Sequence, residues 1–484
     1  MGRLANQIGV AALALLLVLG SGCIHYRPTS LVPTRTASNL QSRTLTDAGL
    51  TTFIETNAPG MVKDWPARKW DFAILTLAAF YYHPSLDVAR AQWHVTQAGV
   101  KTAGGRPNPT LIVAPGYNVS ALSGVNPWFP AVNFDIPIET AGKRAKRITV
   151  AEHLSESARL NIATKAWLVR SGVRSSLLNY VAVRRRAALL KEQVAAQEQI
   201  VKLLGQKAQV GDIAISELAI SRVALSKARL DLTEAQRQSV EARVNVAEAI
   251  GISVQALNEV EVSFDLQSEP NGVSHLTSDE IQQQALLSRT DILGALDEYA
   301  AAEATLRLEI AKQYPDVHLN PGYQFDQGEH KWSLGISVDL PVLNRNEGPI
   351  AEAEARREEA AARFNELQAK VLAEIERAVE VFRVSESNSA TLQSLSSDQE
   401  KQRASVEAQL KAGAVEQLDF VNAQLESAVS QLVLLDGQVK LQQAIGTLEG
   451  AVQRPLDAAT VPPPATFNPR QNSPPPEKEK ETKP

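Results

Sequence analysis

The sequence predicts a mainly α protein with a membrane β-barrel portion, built from two copies of one unit in which a β-hairpin leads into a helical hairpin of unusual length. Three observations predict it. Short motifs recur in the same order about 206 residues apart, each copy contains two segments of strict period two, and each then runs through a long, almost proline-free stretch with apolar residues every three or four positions.

The chain opens on a separate element. A single charge at Arg3 precedes an apolar run from Val10 to Leu19, followed by Gly20, Ser21, Gly22 and Cys23. This is the pattern of a secretory signal, so residues 1–22 are expected to be removed and residues 23–70 to form an N-terminal extension. A lone cysteine at that point resembles a bacterial lipoprotein processing site and marks Cys23 for lipidation, although Leu19 stands four residues before it rather than the usual three. An ordinary cleaved signal with an incidental cysteine fits the same run. No other segment approaches the roughly 20 consecutive apolar residues of a transmembrane helix. The 49 basic and 54 acidic side chains leave a net charge of −5 in 484 residues, too balanced for a nucleic-acid-binding surface. At the far end, residues 455–484 are rich in proline and then in Lys and Glu (Pro474 to Lys480), and are expected to be a disordered tail.

The duplication is carried by motifs that helical composition cannot mimic. Pro109, Pro115, Gly116 and Tyr117 recur as Pro315, Pro321, Gly322 and Tyr323, at an offset of 206. Asp135, Ile136, Pro137 and Ile138 recur as Asp339, Leu340, Pro341 and Val342, at an offset of 204. Further along, Gly211, Ile213, Glu217 and Leu218 align with Gly413, Val415, Asp419 and Phe420.

The period-two segments are expected as strands over 110–120 and 132–139, and again over 316–325 and 332–342. In the second copy Val317, Leu319, Tyr323 and Phe325 alternate with Asp316, His318, Asn320 and Gln324. Segments of about ten residues with one apolar and one polar face suit a tilted membrane strand. Tyr117, Trp128, Phe129, Tyr323, Phe325 and Trp332 cluster near their ends as an interfacial girdle would. A soluble sheet with one face on a core gives the same alternation. If the strands do enter lipid, four cannot close a barrel, and open edges in lipid are forbidden, so several chains must pool them.

Long helices follow. From Lys143 to Gln209 there is no proline, and Val169, Val173, Leu177 and Val181 step along one face. Such a helix would span roughly 100 Å. A break at Gly211 and Asp212 precedes a second helix to Gly251, in which Leu218, Leu225 and Leu232 recur every seven residues as a coiled-coil seam, as do Leu425, Leu432 and Val439 in the second copy. The second long helix is expected to start after Gly348 and Pro349 and to turn at Ala412 and Gly413.

His83-Pro84-Ser85-Leu86 opens a helix, and Arg289-Thr290-Asp291-Ile292 stands at the corresponding place in the second half. With the Asp-apolar-Pro-apolar strand ends and the two Gly-containing turns, these motifs make residues 70–452 resemble the TolC-like outer-membrane efflux channel family. The resemblance implies a first repeat over 71–270 (β-hairpin 109–139, helical hairpin 143–250) and a second over 271–454 (β-hairpin 315–342, helical hairpin 349–450). It implies a homotrimer whose pooled strands form one 12-stranded outer-membrane barrel on a periplasmic α-helical tunnel. The implied partners are a periplasmic membrane-fusion adaptor, an inner-membrane efflux transporter of the RND type and the lipid bilayer, with no nucleic acid and no cofactor. The alternatives are a secreted coiled-coil structural or adaptor protein and the outer-membrane duct of a type I polypeptide secretion system. An enzyme is the weakest reading, because His83, His94, His153, His275, His318 and His330 have no partners at metal-ligand or triad spacing and no glycine-rich phosphate loop follows a strand.

By the same resemblance, the adaptor meets the helix turns, here Val210, Gly211, Asp212 and Ala412, Gly413, Ala414. Acidic side chains just past the turns line the constriction; these are Glu217 and Asp419, with Asn422 at the family's second aspartate position. The alternative is that both acids merely solvate a first helical turn, where they suit the dipole. Val415 and Leu410 stand where basic and tyrosine locking partners would be. The stretches His83 to Gln92 and Asp135 to Arg147 look somewhat like members that work with divalent-cation pumps, yet Met61 as the mature chain's one methionine argues against a soft-metal relay, and no metal site is expected. Lys143, Arg144, Lys146 and Arg147 would face lipid head groups or solvent.

Overall fold

The structure is a computed structural model and describes residues 26, 28–61, 65, 67, 69–258, 260–268 and 278–456. The signal run with Cys23, His275 and the tail beyond residue 456 lie outside the described residues. Residues up to Arg43 form one unit and residues from Thr44 a second. The first contains α1 (Pro33–Gln41), which opens on Pro33, where the missing N–H costs nothing.

The second unit begins with α2 (Ala48–Asn57), capped by Asp47, whose carboxylate accepts the Leu50 N–H at 2.9 Å. Then come β1 (Lys69–Trp70), α3 (Phe72–Tyr82) and α4 (Pro84–Ala103). Leu50, Trp70, Leu75, Leu77, Leu177 and Ile250 are fully buried in one core. After β2 (Thr110–Ala114) and β3 (Ala131–Ile138) run the long α5 (Lys143–Gln209) and α6 (Ile215–Ile250). The link to the second repeat carries β4 (Glu261–Val262), parallel to β1, so that Trp70 pairs with Val262. The second repeat comprises α7 (Ser278–Ser288), α8 (Thr290–Ala311), β5 (Val317–Asp326), β6 (Glu329–Val338), α9 (Glu347–Lys411) and α10 (Gln417–Val452). At 67 and 65 residues, α5 and α9 are each about 100 Å long. Helix α5 packs on both α6 and α10, and α10 packs on α9, which leaves α6 and α9 at the two sides.

Helix α9 starts at Glu347, three residues earlier than a start after Gly348 and Pro349. Gly348 and Pro349 lie inside its first turn, where no N–H is needed for the ladder. The seam between α5 and α6 also differs from the leucine stripe. Leu218 is buried, whereas Leu225 and Leu232 are half-buried, and the fully enclosed positions are Ala228, Ala235 and Ala242. These alanines keep the seven-residue step but sit three residues further on, and their small side chains let the helix backbones approach closely.

Strands β2-β3-β5-β6 form one antiparallel sheet in that order. The repeat is visible in its register, because Leu111 pairs with Phe134 as Val317 pairs with Val338. One face carries Leu111, Val113, Val132, Phe134, Ile136, Leu319, Tyr323, Trp332, Leu334 and Ile336, the other Asn133, Asp135, His318, Asn320, Gln324, Lys331, Ser333 and Ser337. Ile112 is the one large apolar side chain in the polar set apart from prolines. Trp332 and Leu334 are 80% and 71% exposed, so no core covers the apolar face in the single chain. On the polar face, a Cβ at Gly322 would lie 2.3 Å from Asn133 Oδ1 and 2.8 Å from Ser333 Oγ, so any larger residue there would make those two side chains move. The first hairpin is shorter than its alternation suggests. Regular pairing stops at Ala114 and Ala131, with one further bridge between Tyr117 and Trp128, because Pro115, Pro127 and Pro130 bring no N–H to the ladder. No helix among the described residues is long and apolar enough to cross a membrane, which says nothing of the strands.

The basic cluster at the start of α5 is a joint rather than a free surface. Arg144 Nε donates to Gly104 O at 2.7 Å, and Arg147 donates to Ala103 O and Gly105 O at 3.1 Å and pairs with Glu139. These guanidinium groups satisfy the orphan carbonyls at the end of α4 and suit the negative end of its dipole. Lys143 Nζ binds Asp316 Oδ1 at 2.8 Å, whose same oxygen accepts the Thr140 N–H at 2.9 Å, tying the exit of β3 to the entry of β5.

Candidate aperture at the helical tips

Both helical hairpins turn through the same motif. At the end of α5 the Gly211 N–H donates to Ala208 O and the Asp212 N–H to Lys207 O, and at the end of α9 Gly413 donates to Leu410 O and Ala414 to Gln409 O. Each turn is a Schellman motif, which needs a left-handed residue, and Gly211 (φ +80°) and Gly413 (φ +73°) supply it. Val210, Gly211, Asp212, Ala412, Gly413 and Ala414 are all exposed.

The two tips of one chain are packed together. Ala196, Ile200 and Leu204 of α5 enclose Leu218 of α6 and Val421 of α10 in a small apolar cluster. Across it runs an ion pair that the sequence reading missed: Lys207 Nζ lies 2.7 Å from Glu416 Oε2 and 3.8 Å from Asp212 Oδ2. The lysine is held above its ordinary range by the hydrogen bond to Glu416, against desolvation, with further attraction from Asp212 and Asp419. A raised folded value means that the tie is fully present below the ordinary lysine range and is lost as pH rises through the raised value, so it stands at neutral pH. One signal for it was legible, since Glu416 and Asp419 have capping-box spacing, but nothing local announced Lys207 as the partner, 209 residues away.

Asp419 is exposed and occupies the third position of α10, where its Oδ2 accepts the Glu416 N–H at 3.0 Å while the Glu416 side chain caps the reciprocal N–H. Glu217 holds the matching place in α6, exposed and without a capping bond from Ala214. Asn422, one turn further along α10, is also exposed. The acids gathered on Lys207 are thus Glu416, Asp212 and Asp419, with Glu217 outside that group. Among the described residues no three metal-ligating side chains come together.

An amphipathic sheet with bare edges, carried on paired helices of about 100 Å that end in matched tips, is the architecture of a membrane channel protein with a long helical portion. The chain belongs to the outer membrane efflux protein family, whose sequence profile matches residues 79–252 and 281–452. It is 23% identical over 274 residues to the cobalt-zinc-cadmium resistance protein CzcC of Cupriavidus metallidurans, a match covering 56% of this chain and 62% of CzcC. It is 20% identical over 380 residues to the outer membrane protein OprJ of Pseudomonas aeruginosa, covering 74% of this chain and 78% of OprJ. In shape it is similar to the outer membrane protein VceC of Vibrio cholerae, with a TM-score of 0.63 at 18% identity over 80% of this chain and 97% of that one. The chain is accordingly a channel component of the bacterial outer membrane and not an enzyme.

Proposed function

We propose that this chain is the outer-membrane duct of a tripartite efflux pump, receiving small substrates from an inner-membrane transporter of the RND type through a periplasmic adaptor and releasing them outside. The observation that carries the reading is the four-stranded sheet, apolar on one face and open at β2 and β6, continuous with helical hairpins long enough to reach across a periplasm. A sheet of this kind is stable in lipid only when copies close it. Three copies supply twelve strands, above the roughly eight that a barrel needs. The adaptor docks on the exposed turns Val210 to Asp212 and Ala412 to Ala414, and Glu217, Asp419 and Asn422 line the constriction.

The chain extracted in detergent is expected to be a trimer with strongly helical circular dichroism, and to conduct ions in planar bilayers. A water-soluble monomer without conductance would overturn the reading in favour of a secreted coiled-coil protein.

Lipidation at Cys23 belongs to the same proposal, and rests on the apolar run closed by Gly20, Ser21 and Gly22. Mass spectrometry of the mature N-terminus is expected to show a lipid-modified cysteine at its first position. An unmodified peptide would leave the barrel as the membrane anchor.

A further inference from the structure

We infer that β6 of one copy pairs with β2 of the next in a register set by the internal repeat, with Leu340 opposite Val113, Pro341 opposite Ile112 and Val342 opposite Leu111 of that next copy. The inference rests on the reading that copies pool their strands in one barrel, and it specifies how the second copy is recognised.

The argument starts from the joint inside one chain. There the second strand of hairpin one meets the first strand of hairpin two, with Ile136 opposite Leu319, Pro137 opposite His318 and Ile138 opposite Val317. The first strands of the two hairpins correspond at an offset of 206 and the second strands at 204. The structure obeys both offsets within each hairpin, since the pairs Leu111 with Phe134 and Val113 with Val132 map onto Val317 with Val338 and Leu319 with Ile336. Leu340, Pro341 and Val342 therefore stand where Ile136, Pro137 and Ile138 stand, and Val113, Ile112 and Leu111 stand where Leu319, His318 and Val317 stand. Applying the internal joint to the bare edges gives the stated seam.

Two features that the single chain leaves unexplained fit this register. Leu340 and Val342 continue the alternation of β6 beyond its last paired residue, Val338, and are each 74% exposed. In the seam they face Val113 and Leu111 across the apolar side. Ile112 is 48% exposed amid the polar face, where its counterpart His318 binds Asp135 at 2.8 Å. Opposite Pro341 it gains an apolar neighbour. A slip of one residue would send each apolar set to the wrong face, and a slip of two would take Ile112 away from Pro341.

Pro341 has no N–H, so its pair is a non-hydrogen-bonded one, with Cα atoms about 4.5 Å apart, within the roughly 4.4–6.8 Å that a disulfide spans. The test is the double variant Ile112→Cys with Pro341→Cys, oxidised in the outer membrane and run on denaturing gels without reductant. Cys23 is retained and each single-cysteine variant serves as a control. Most of the double variant is expected to run as a reductant-sensitive covalent trimer. Ile112→Cys with Asp339→Cys, on the same face but two residues out of register, is expected to stay monomeric. Crosslinking of the shifted pair instead, or of neither pair in a chain that is trimeric in detergent, would overturn the register while leaving the pooled barrel standing. A chain that is not trimeric in detergent would overturn both.

Discussion

Replacing Glu449 with leucine is expected to destabilise the chain by about 3–5 kcal/mol, the cost typical of removing one partner from a buried ion pair. Glu449 on α10 is only 2% exposed, and it accepts from Arg170 Nη1 at 2.7 Å and Nη2 at 3.2 Å, with Arg174 Nη1 at 3.6 Å. Both arginines come from α5 and are themselves 6% and 9% exposed. The guanidinium of Arg170 also lies over Phe72 and Trp167, and that of Arg174 over Phe72 and Phe264. Without the carboxylate, two cations would remain in a nearly dry site, and neither aromatic faces nor the 2.9 Å bond from Arg174 to Gln442 would replace a counter-charge. The measurement is the thermal midpoint of helical circular dichroism in detergent. Exchanging all three residues for apolar ones of similar volume is expected to recover most of the loss, because an apolar cluster has no desolvation penalty. A Glu449→Leu chain as stable as the parent would show that water reaches the arginines.

At the tips, Glu217→Gln with Asp419→Asn is expected to bring cation preference in planar-bilayer conductance down toward unity and to weaken block by multivalent cations. The double substitution removes two carboxylates per chain, six per trimer, while keeping side-chain shape. Asp419→Asn would disturb the helix start only if the capping bond needed charge, but an amide oxygen can also accept the Glu416 N–H. Trimer assembly should therefore be unchanged. If both acids only solvate a first helical turn, local helix stability would change by a few tenths of a kcal/mol and selectivity not at all. Equal selectivity at low salt, where screening is weakest, would remove these residues from the constriction.

Much of the architecture was legible because its signals are local or periodic. The limits of α5, the two turns at Gly211 and Gly413 and the alternation in β5 and β6 all follow from residue order, since helix breakers, left-handed glycines and a period of two act over a few residues. Duplicated motifs then made each reading a check on the other. What the tertiary structure alone decided are contacts between segments distant in sequence. The alanine seam of α6 depends on how closely α5 approaches, Arg144 and Arg147 at the start of α5 bind carbonyls at the end of α4, and Arg170 meets Glu449 across 279 residues. The tie from Lys207 to Glu416 is of the same kind. A charge pair between distant segments leaves no local trace in sequence, and the seven-residue step of Ala228, Ala235 and Ala242 does not say which surface will cover it, because each depends on which two surfaces folding brings face to face.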